Sequence, residues 1–161
     1  GISMNFKDGE IENVIIESVS LNNDQRGWLA EFFRHDEIPK EIQPVMGYVS
    51  LTHPGIVRGP HEHLEQWDYF VFLGPSIFEV YLWDNRKNSP TYQNRIKITV
   101  GEDHPFKIAV PPGVVHAYKN IGNKDGIVYN FPNQLYAGYG KKEKVDEVRW
   151  ENQQDSPFVI G

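Results

Sequence analysis

The feature that most restricts the fold of this chain is a recurring alternation of apolar and polar residues. In residues 94–100 (NRIKITV) every second residue from Ile96 onwards is apolar, which is the period of a strand with one buried face. Segments rich in Gly, Pro and Asn separate such stretches and are typical of turns. Short strands at this spacing predict an all-β antiparallel sandwich or barrel. The other candidate strands are residues 13–19, 28–34, 45–52, 68–73, 77–83, 106–110 and 126–131.

Helical signals are weak in comparison. Residues 36–42 (DEIPKEI) predict one turn of helix and residues 141–150 (KKEKVDEVRW) predict a short peripheral helix, but no long segment has a 3.6-residue period. We expect the tail at 155–161 to pack against the body of the protein. A single domain over residues 1–161 is expected, in which residues 1–3 before the first Met are typical of a cloning scar.

Charge and composition exclude several classes of partner. The formal net charge is −6, which argues against nucleic acid or an anionic membrane as the principal partner. The chain has no cysteine, so disulfides and thiolate nucleophiles are excluded, in agreement with a reducing cytoplasm. No apolar stretch approaches the ~18 residues that a membrane-spanning helix needs. We therefore expect a cytoplasmic protein that binds a small molecule.

Two segments carry histidines in contexts that favour chemistry. His61 and His63 are separated by one residue (RGPHEH), so both side chains lie on the same face of a strand. His116 follows a Pro-Pro-Gly turn (PPGVVH). From the residues alone, these histidines could be metal ligands, proton-transfer groups or parts of a polar core.

The same two segments resemble the motifs of the cupin superfamily. That resemblance implies a cupin-type double-stranded β-helix, or jelly roll, with short peripheral helices. The second cupin motif, P-x-G-x-x-H-x-x-x-N, matches in full, whereas the first matches at its two histidines and has Glu65 or Asp68 in place of the expected glutamate. The matched residues are Pro111, Gly113, His116 and Asn120 in the second motif, and His61 and His63 in the first.

A closer resemblance covers most of the chain. Five segments follow, in order, the motifs of the dTDP-4-dehydrorhamnose 3,5-epimerase family. The resemblance implies a homodimeric isomerase, without a metal or other cofactor, that inverts stereocentres beside the ketone of a nucleotide-linked 4-keto-6-deoxy sugar in polysaccharide or deoxysugar biosynthesis. The segments are residues 24–34 (DQRGWLAEFFR), 55–63 (GIVRGPHEH), 84–92 (DNRKNSPTY), 110–118 (VPPGVVHAY) and 128–137 (VYNFPNQLYA).

The chemistry explains why the family uses imidazole and phenol groups. A carbon beside a ketone loses its proton to a base on one face, and inversion requires an acid on the other face. By position, the resemblance makes His61 the base, Tyr129 the acid and Asp155 the carboxylate that orients His61. The residues that it implies for substrate binding are Arg58, His63 and His116, together with Arg26 and Glu31 on an N-terminal strand that reaches the partner subunit's site.

One departure from the family keeps other readings open. The family's lysine after the histidine strand, which stabilises the enolate oxygen, is replaced in the aligned region by Trp67 and Asp68. The first alternative is a metal-dependent cupin that uses His61, His63 and His116 with Glu65 or Asp68, a donor set that suits several transition metals. The second alternative is a sugar-binding jelly roll without catalytic activity.

Overall fold

The computed structural model describes residues 4–161, and its regular structure is almost entirely β. No helix in this part of the chain is long and apolar enough to cross a membrane. The only helical segments within it are three single 3₁₀ turns, at Lys40–Ile42, Tyr139–Lys141 and Trp150–Asn152. The strands are β1 (Lys7–Asp8), β2 (Ile15–Ser18), β3 (Asn22–Asp24), β4 (Gly27–Leu29), β5 (Tyr48–Thr52), β6 (Val57–Glu62), β7 (Asp68–Phe72), β8 (Ile77–Asp84), β9 (Asn94–Gly101), β10 (Phe106–Val110), β11 (Val114–Asn120), β12 (Gly126–Asn130) and β13 (Val148–Arg149).

Ten of these strands and the short β13 form two facing sheets. The six-stranded sheet has the order β1-β9-β8-β11-β6-β13, and the five-stranded sheet has the order β2-β10-β7-β12-β5. All the pairings are antiparallel except that of β1 with β9. The all-β, two-sheet architecture predicted from the alternation is therefore confirmed.

The core lies between the sheets and follows directly from the alternation. On β8, for example, Phe78, Val80 and Leu82 face the interior, whereas Tyr81 and Trp83 lie on the outer face. The inner side chains are almost fully excluded from solvent, and each such apolar side chain contributes about 1.5–3 kcal/mol of transfer free energy. One end of this interior carries polar side chains instead, and it is there that the histidines lie.

The hairpin of β3 and β4 leads into a segment that covers the outer face of the five-stranded sheet. The strand predicted over residues 28–34 ends at Leu29, and the remaining residues pack without joining a sheet. Phe32 contacts the rings of Tyr129 and Phe131, with centroid distances of 5.2 and 5.6 Å. An apolar side of the segment thus packs on the sheet although its backbone is unpaired.

The C-terminal region differs from the prediction. The helix predicted over 141–150 is wrong, because this stretch contains β13, paired with the edge of β6, and leads into the turn Trp150–Asn152. The tail does pack on the body as predicted. Phe158 is buried on the outer face of the six-stranded sheet against Trp83 and Trp150, with ring centroids 5.6 and 4.9 Å away.

Candidate active site

The turn before His61 fixes where its imidazole points. The ladder between β6 and β11 pairs His61 with His116 and Arg58 with Tyr118, so β6 carries one extra residue, a bulge, at Gly59–Pro60. Gly59 has φ of +99°, and a Cβ there would lie 2.7 Å from the His116 carbonyl oxygen. Only glycine fits this close approach of two backbones, and the result is that His61 faces the interior.

His61 lies between two carboxylates. Its Nε2 is 2.7 Å from Oε2 of Glu151, and its Nδ1 is 3.4 Å from Oε1 of Glu147. Both carboxylates come from the segment around β13, which pairs with β6 through Arg149 opposite His61. Because Nε2–H donates to Glu151, a neutral His61 keeps its lone pair on Nδ1, where it can accept a proton.

A second cluster, His63–Asp68–His116, is more deeply buried. Oδ2 of Asp68 is 2.9 Å from Nε2 of His63 and 3.3 Å from Nε2 of His116. Nδ1 of His63 donates to the backbone carbonyl of Asp146, so both nitrogens of His63 act as donors and the ring is an imidazolium. Oδ1 of Asp68 accepts hydrogen bonds from the side-chain amides of Gln66 and Asn130.

The cluster is a buried ion pair beside a neutral imidazole. Burial alone would lower the pKa of His63, but its hydrogen bond to Asp68 and the charge of that carboxylate outweigh burial and raise the pKa to about 9. Burial opposes ionisation of Asp68, yet His63 and His116 hold the pKa of this carboxyl well below its usual range. Burial lowers the pKa of His116 to about 4.

This arrangement does not match the metal alternative. His61 does not converge with the other two histidines on one point, because its nitrogens face Glu147 and Glu151. The three groups that do converge are His63, Asp68 and His116. In this group His63 donates from both nitrogens, so it would have to release the proton that it shares with Asp68 before it could bind a metal.

A cavity of about 280 Å³ opens beside His61 and is lined by groups from both sheets. From the five-stranded sheet comes Tyr48, whose hydroxyl accepts a hydrogen bond of 2.8 Å from Nδ2 of Asn130. Burial raises the pKa of Tyr48 to about 12, and the charge of Asp68 adds to the effect. Tyr48 is therefore a protonated phenol, and its strand belongs to the sheet facing that of His61.

The small cavity continues into a larger one of about 750 Å³, and four residues line both: Tyr48, His63, Glu147 and Arg149. Arg58 lines the inner cavity, where its Nε donates to Thr52 Oγ1 and its Nη2 to the Leu51 carbonyl, both at 2.8 Å. Together the cavities form a small polar chamber with a wider entrance. This shape suits a ligand with a small polar group in the chamber and a larger group in the entrance.

Comparison with known proteins identifies the family. The family model described as dTDP-4-dehydrorhamnose 3,5-epimerase matches residues 8–154. The chain belongs to this family. The resemblance seen in the five sequence segments is thus confirmed, and members of the dTDP-4-dehydrorhamnose 3,5-epimerase family are isomerases.

Individual relatives agree with this assignment. The probable low-salt glycan biosynthesis epimerase Agl13 of Haloferax volcanii is 39% identical over 127 residues, which cover 78% of this chain and 81% of that protein. The spore coat polysaccharide biosynthesis protein SpsL of Bacillus subtilis is 28% identical over 143 residues, covering 89% and 92%.

Solved structures of epimerases share the fold. The dTDP sugar isomerase from Desulfovibrio desulfuricans has a TM-score of 0.78 at 22% identity, covering 92% of this chain and 89% of that one. RmlC from Legionella pneumophila, solved with dTDP-4-keto-L-rhamnose, has a TM-score of 0.75 at 17% identity, covering 97% and 82%. The predicted jelly-roll class is confirmed, and its short helices are 3₁₀ turns only.

Two of the three residues predicted as catalytic from the family motifs lie away from His61. Tyr129 packs on the outer face of the five-stranded sheet against Phe32, because its neighbour Val128 faces the core. Asp155 is exposed in the tail, and the carboxylate that contacts His61 is Glu151. The position of the side chains therefore argues against both assignments.

The predicted binding residues divide into two groups. Arg58, His63 and His116 all line the inner cavity. Arg26 and Glu31 are exposed on the N-terminal segment, where Arg26 pairs with Asp24 at 2.5 Å and Glu31 with Arg34 at 3.7 Å. Within the described residues 4–161, neither of these two lines the inner cavity.

Sequence reasoning missed Tyr48, Glu147 and Glu151. A signal for the two glutamates was available, since Glu147, Arg149 and Glu151 alternate with a strand period and share one side of the chain. The prediction of a helix in this region concealed that period.

Proposed function

We propose that this protein epimerises a nucleotide-linked 4-keto-6-deoxy sugar, with His61 as the base and Tyr48 as the acid. The observation that carries the proposal is the placement of His61 between Glu147 and Glu151, across a cavity from an inward-facing phenol on the opposite sheet. A base and an acid on opposite sides of a sugar-sized chamber meet the requirement for inversion.

The proposed reaction begins at the carbon beside the ketone. Nδ1 of His61 takes the proton, and the bonding electron pair moves onto the ketone oxygen to give an enolate. The resulting imidazolium is stabilised by Glu151 on Nε2 and by Glu147 beside Nδ1. Protonated His63, a cation in the same cavity, stabilises the enolate electrostatically in place of the family's lysine.

Inversion follows when the enolate collapses and takes a proton from the other face. The hydroxyl of Tyr48 donates that proton and becomes a phenolate, which the side-chain amide of Asn130 stabilises. Solvent then returns a proton to Tyr48 and removes one from His61, so the enzyme is regenerated without a net gain or loss of protons.

The nucleotide and the second subunit complete the proposal. The relatives solved with dTDP ligands support a nucleotide-sugar substrate, whose diphosphate would meet the free N–H groups of Arg58. We propose a cytoplasmic homodimer in which Arg26 and Glu31 reach the partner's cavity. Exposed apolar side chains near this hairpin and on the edge strand β5 give a surface that a second copy would cover, including Trp28, Val49 and Leu51, which are 55%, 57% and 46% exposed.

Deuterium uptake tests the activity directly. The protein is incubated in D₂O with nucleotide-linked 4-keto-6-deoxy sugars that carry different nucleotides, and exchange at C3 and C5 is followed by NMR. We expect His61→Asn to slow exchange by roughly 10²–10⁴-fold, and Glu151→Gln by about tenfold or more. Tight binding of these sugars without any isotope uptake would favour a binding module instead.

The acid is tested by separating exchange from inversion. Tyr48→Phe should still exchange the proton but return it to the original face, so the epimer forms at least about 10²-fold more slowly. Tyr129→Phe is the matched control, because it removes a hydroxyl from the same sheet on its outer face. An unchanged Tyr48→Phe together with an inactive Tyr129→Phe would reverse the assignment. Light scattering gives the mass that decides between monomer and dimer.

A further inference from the structure

A buried glutamate lies between the two active-site histidines but faces away from the cavity. Glu62 is only 8% exposed, on the outer face of the six-stranded sheet. Its Oε1 accepts hydrogen bonds of 3.0 Å from Nδ2 of Asn85 and from Nε1 of Trp150. A buried carboxylate costs free energy unless it is well hydrogen bonded. The hydrogen bond from Trp150 therefore stabilises the buried Glu62 and at the same time holds the indole in place.

The next residue along the chain from Trp150 is Glu151, the partner of His61. Two consecutive residues of β6, His61 and Glu62, thus hold two consecutive residues of the C-terminal turn, Glu151 and Trp150. The contacts lie on opposite faces of the sheet, because side chains alternate along β6. This double attachment fixes both the position and the rotation of the turn.

The turn has little other support from its backbone. Its 3₁₀ segment, Trp150–Asn152, has no side-chain cap at Arg149 and is closed by one bond of 3.0 Å from Gln153 N–H to the Trp150 carbonyl, and the strand before it, β13, has only two residues. The indole ring also packs on Phe158, at a centroid distance of 4.9 Å, which holds the ring in the outer cluster but leaves its rotation to the hydrogen bond with Glu62.

We propose that Glu62 is a positioning residue, which through Trp150 holds Glu151 in hydrogen-bonding reach of Nε2 of His61. The inference rests on the proposed function for its catalytic consequence. Without the bond from Trp150, the turn can shift, and a displacement of ~1 Å at a catalytic group can cost up to about 10²-fold in rate. Glu62 itself never contacts the substrate.

Four variants separate positioning from general stability. Glu62→Met and Trp150→Phe each remove the bond while keeping bulk, and Glu62→Gln keeps an oxygen acceptor for the indole. Glu79→Met is the matched control, since Glu79 lies on the outer face of neighbouring β8 and accepts a bond from Tyr81. We expect Glu62→Met and Trp150→Phe to lower kcat for deuterium exchange by roughly tenfold or more, with KM little changed.

The rescue, control and double variants test whether Glu62 acts by positioning. Glu62→Gln should restore most of the rate, Glu79→Met should leave it unchanged, and the double variant Glu62→Met/Trp150→Phe should be no slower than either single variant. If Glu62→Met exchanges at the wild-type rate, or if Glu79→Met is equally slow, the positioning role is refuted. Should Glu62→Met fail to fold, Trp150→Phe carries the same test with the ring contact to Phe158 retained.

A spectroscopic readout keeps this inference apart from the proposed function. In the ligand-free protein, the ¹H–¹⁵N NMR signal of the His61 Nε2–H should be protected from solvent exchange by Glu151. The signal should be lost in Glu151→Leu and in Glu62→Met, and retained in Glu62→Gln. If the wild type exchanges no sugar proton, the proposed function fails, yet the signal still tests the positioning. A signal that survives in Glu62→Met overturns it.

Discussion

Raising the pH should weaken the fold by discharging the buried His63–Asp68 pair. The pKa of His63 is about 9 in the folded protein, against ~6.5 in an unfolded chain. Because the folded state binds this proton more tightly, the stabilisation is complete below pH ~6.5 and is lost as the pH rises through 9. The difference between the two pKa values corresponds to about 3 kcal/mol, most of which disappears between pH ~7 and ~10.

Urea unfolding of the wild type and of a reference variant across this pH range isolates the contribution of the His63–Asp68 pair to stability. The reference is His63→Gln/Asp68→Asn, which replaces both charged groups by amides of similar shape and leaves the rest of the cavity in place. The free energy of unfolding of the wild type, relative to this variant, should fall by about 2–3 kcal/mol from pH ~7 to ~10. Two curves that remain parallel would show that His63 is not the cation inferred from its two donated hydrogen bonds.

Three further predictions concern the groups around this pair. Asp68→Asn alone should lower the free energy of unfolding by about 3 kcal/mol, because His63 loses the partner that keeps it protonated and gives up its proton; urea unfolding at pH 7 measures the loss. Phe158→Ala should cost about 3 kcal/mol by the same assay, since it empties a buried site on the outer face, whereas removal of an exposed, unpacked tail would change nothing. Gly59→Ala should cost more than ~1 kcal/mol and also slow exchange, because its Cβ would push against the His116 carbonyl; an active, fully stable variant would contradict the close approach.

The parts of the fold that the sequence predicts are those where burial and alternation agree. On β8 and β9 the apolar residues face the core, so periodicity locates the strands and their faces together. The inward orientation of His61, His63 and His116 follows from the same rule, because His61 and His63 are two residues apart and His116 is the cross-strand partner of His61.

The sequence pattern does not indicate Tyr48, the proposed acid, because β5 reverses the usual alternation. Its cavity-side residues, Tyr48, Ser50 and Thr52, are polar or amphipathic, and Tyr48 is 49% exposed at the cavity, whereas the apolar Val49 and Leu51 lie on the other face of the strand. A pattern that assumes apolar residues inside assigns this strand to the wrong face. A motif match likewise gives the position of a residue such as Tyr129 along the chain but not the face on which its side chain lies.

The carboxylate partner of His61 could not be identified from sequence for a different reason. Glu151 reaches His61 only because β13 joins the edge of β6, a contact between segments 90 residues apart. Nothing local to the C-terminal region specifies that pairing. Its many lysines and glutamates instead agree with a solvated helix.

The bulge at Gly59–Pro60 determines which side chains of β6 face the cavity, and the proposed chemistry depends on that orientation. Before the bulge an even-numbered residue, Arg58, faces inward, and after it the odd-numbered His61 and His63 face inward. If the same residues paired with β11 without the bulge, His61 would face the surface and Glu62 would face the chamber, which exchanges an imidazole for a carboxylate. The inward position of the proposed base therefore depends on the bulge as well as on the identity of residue 61.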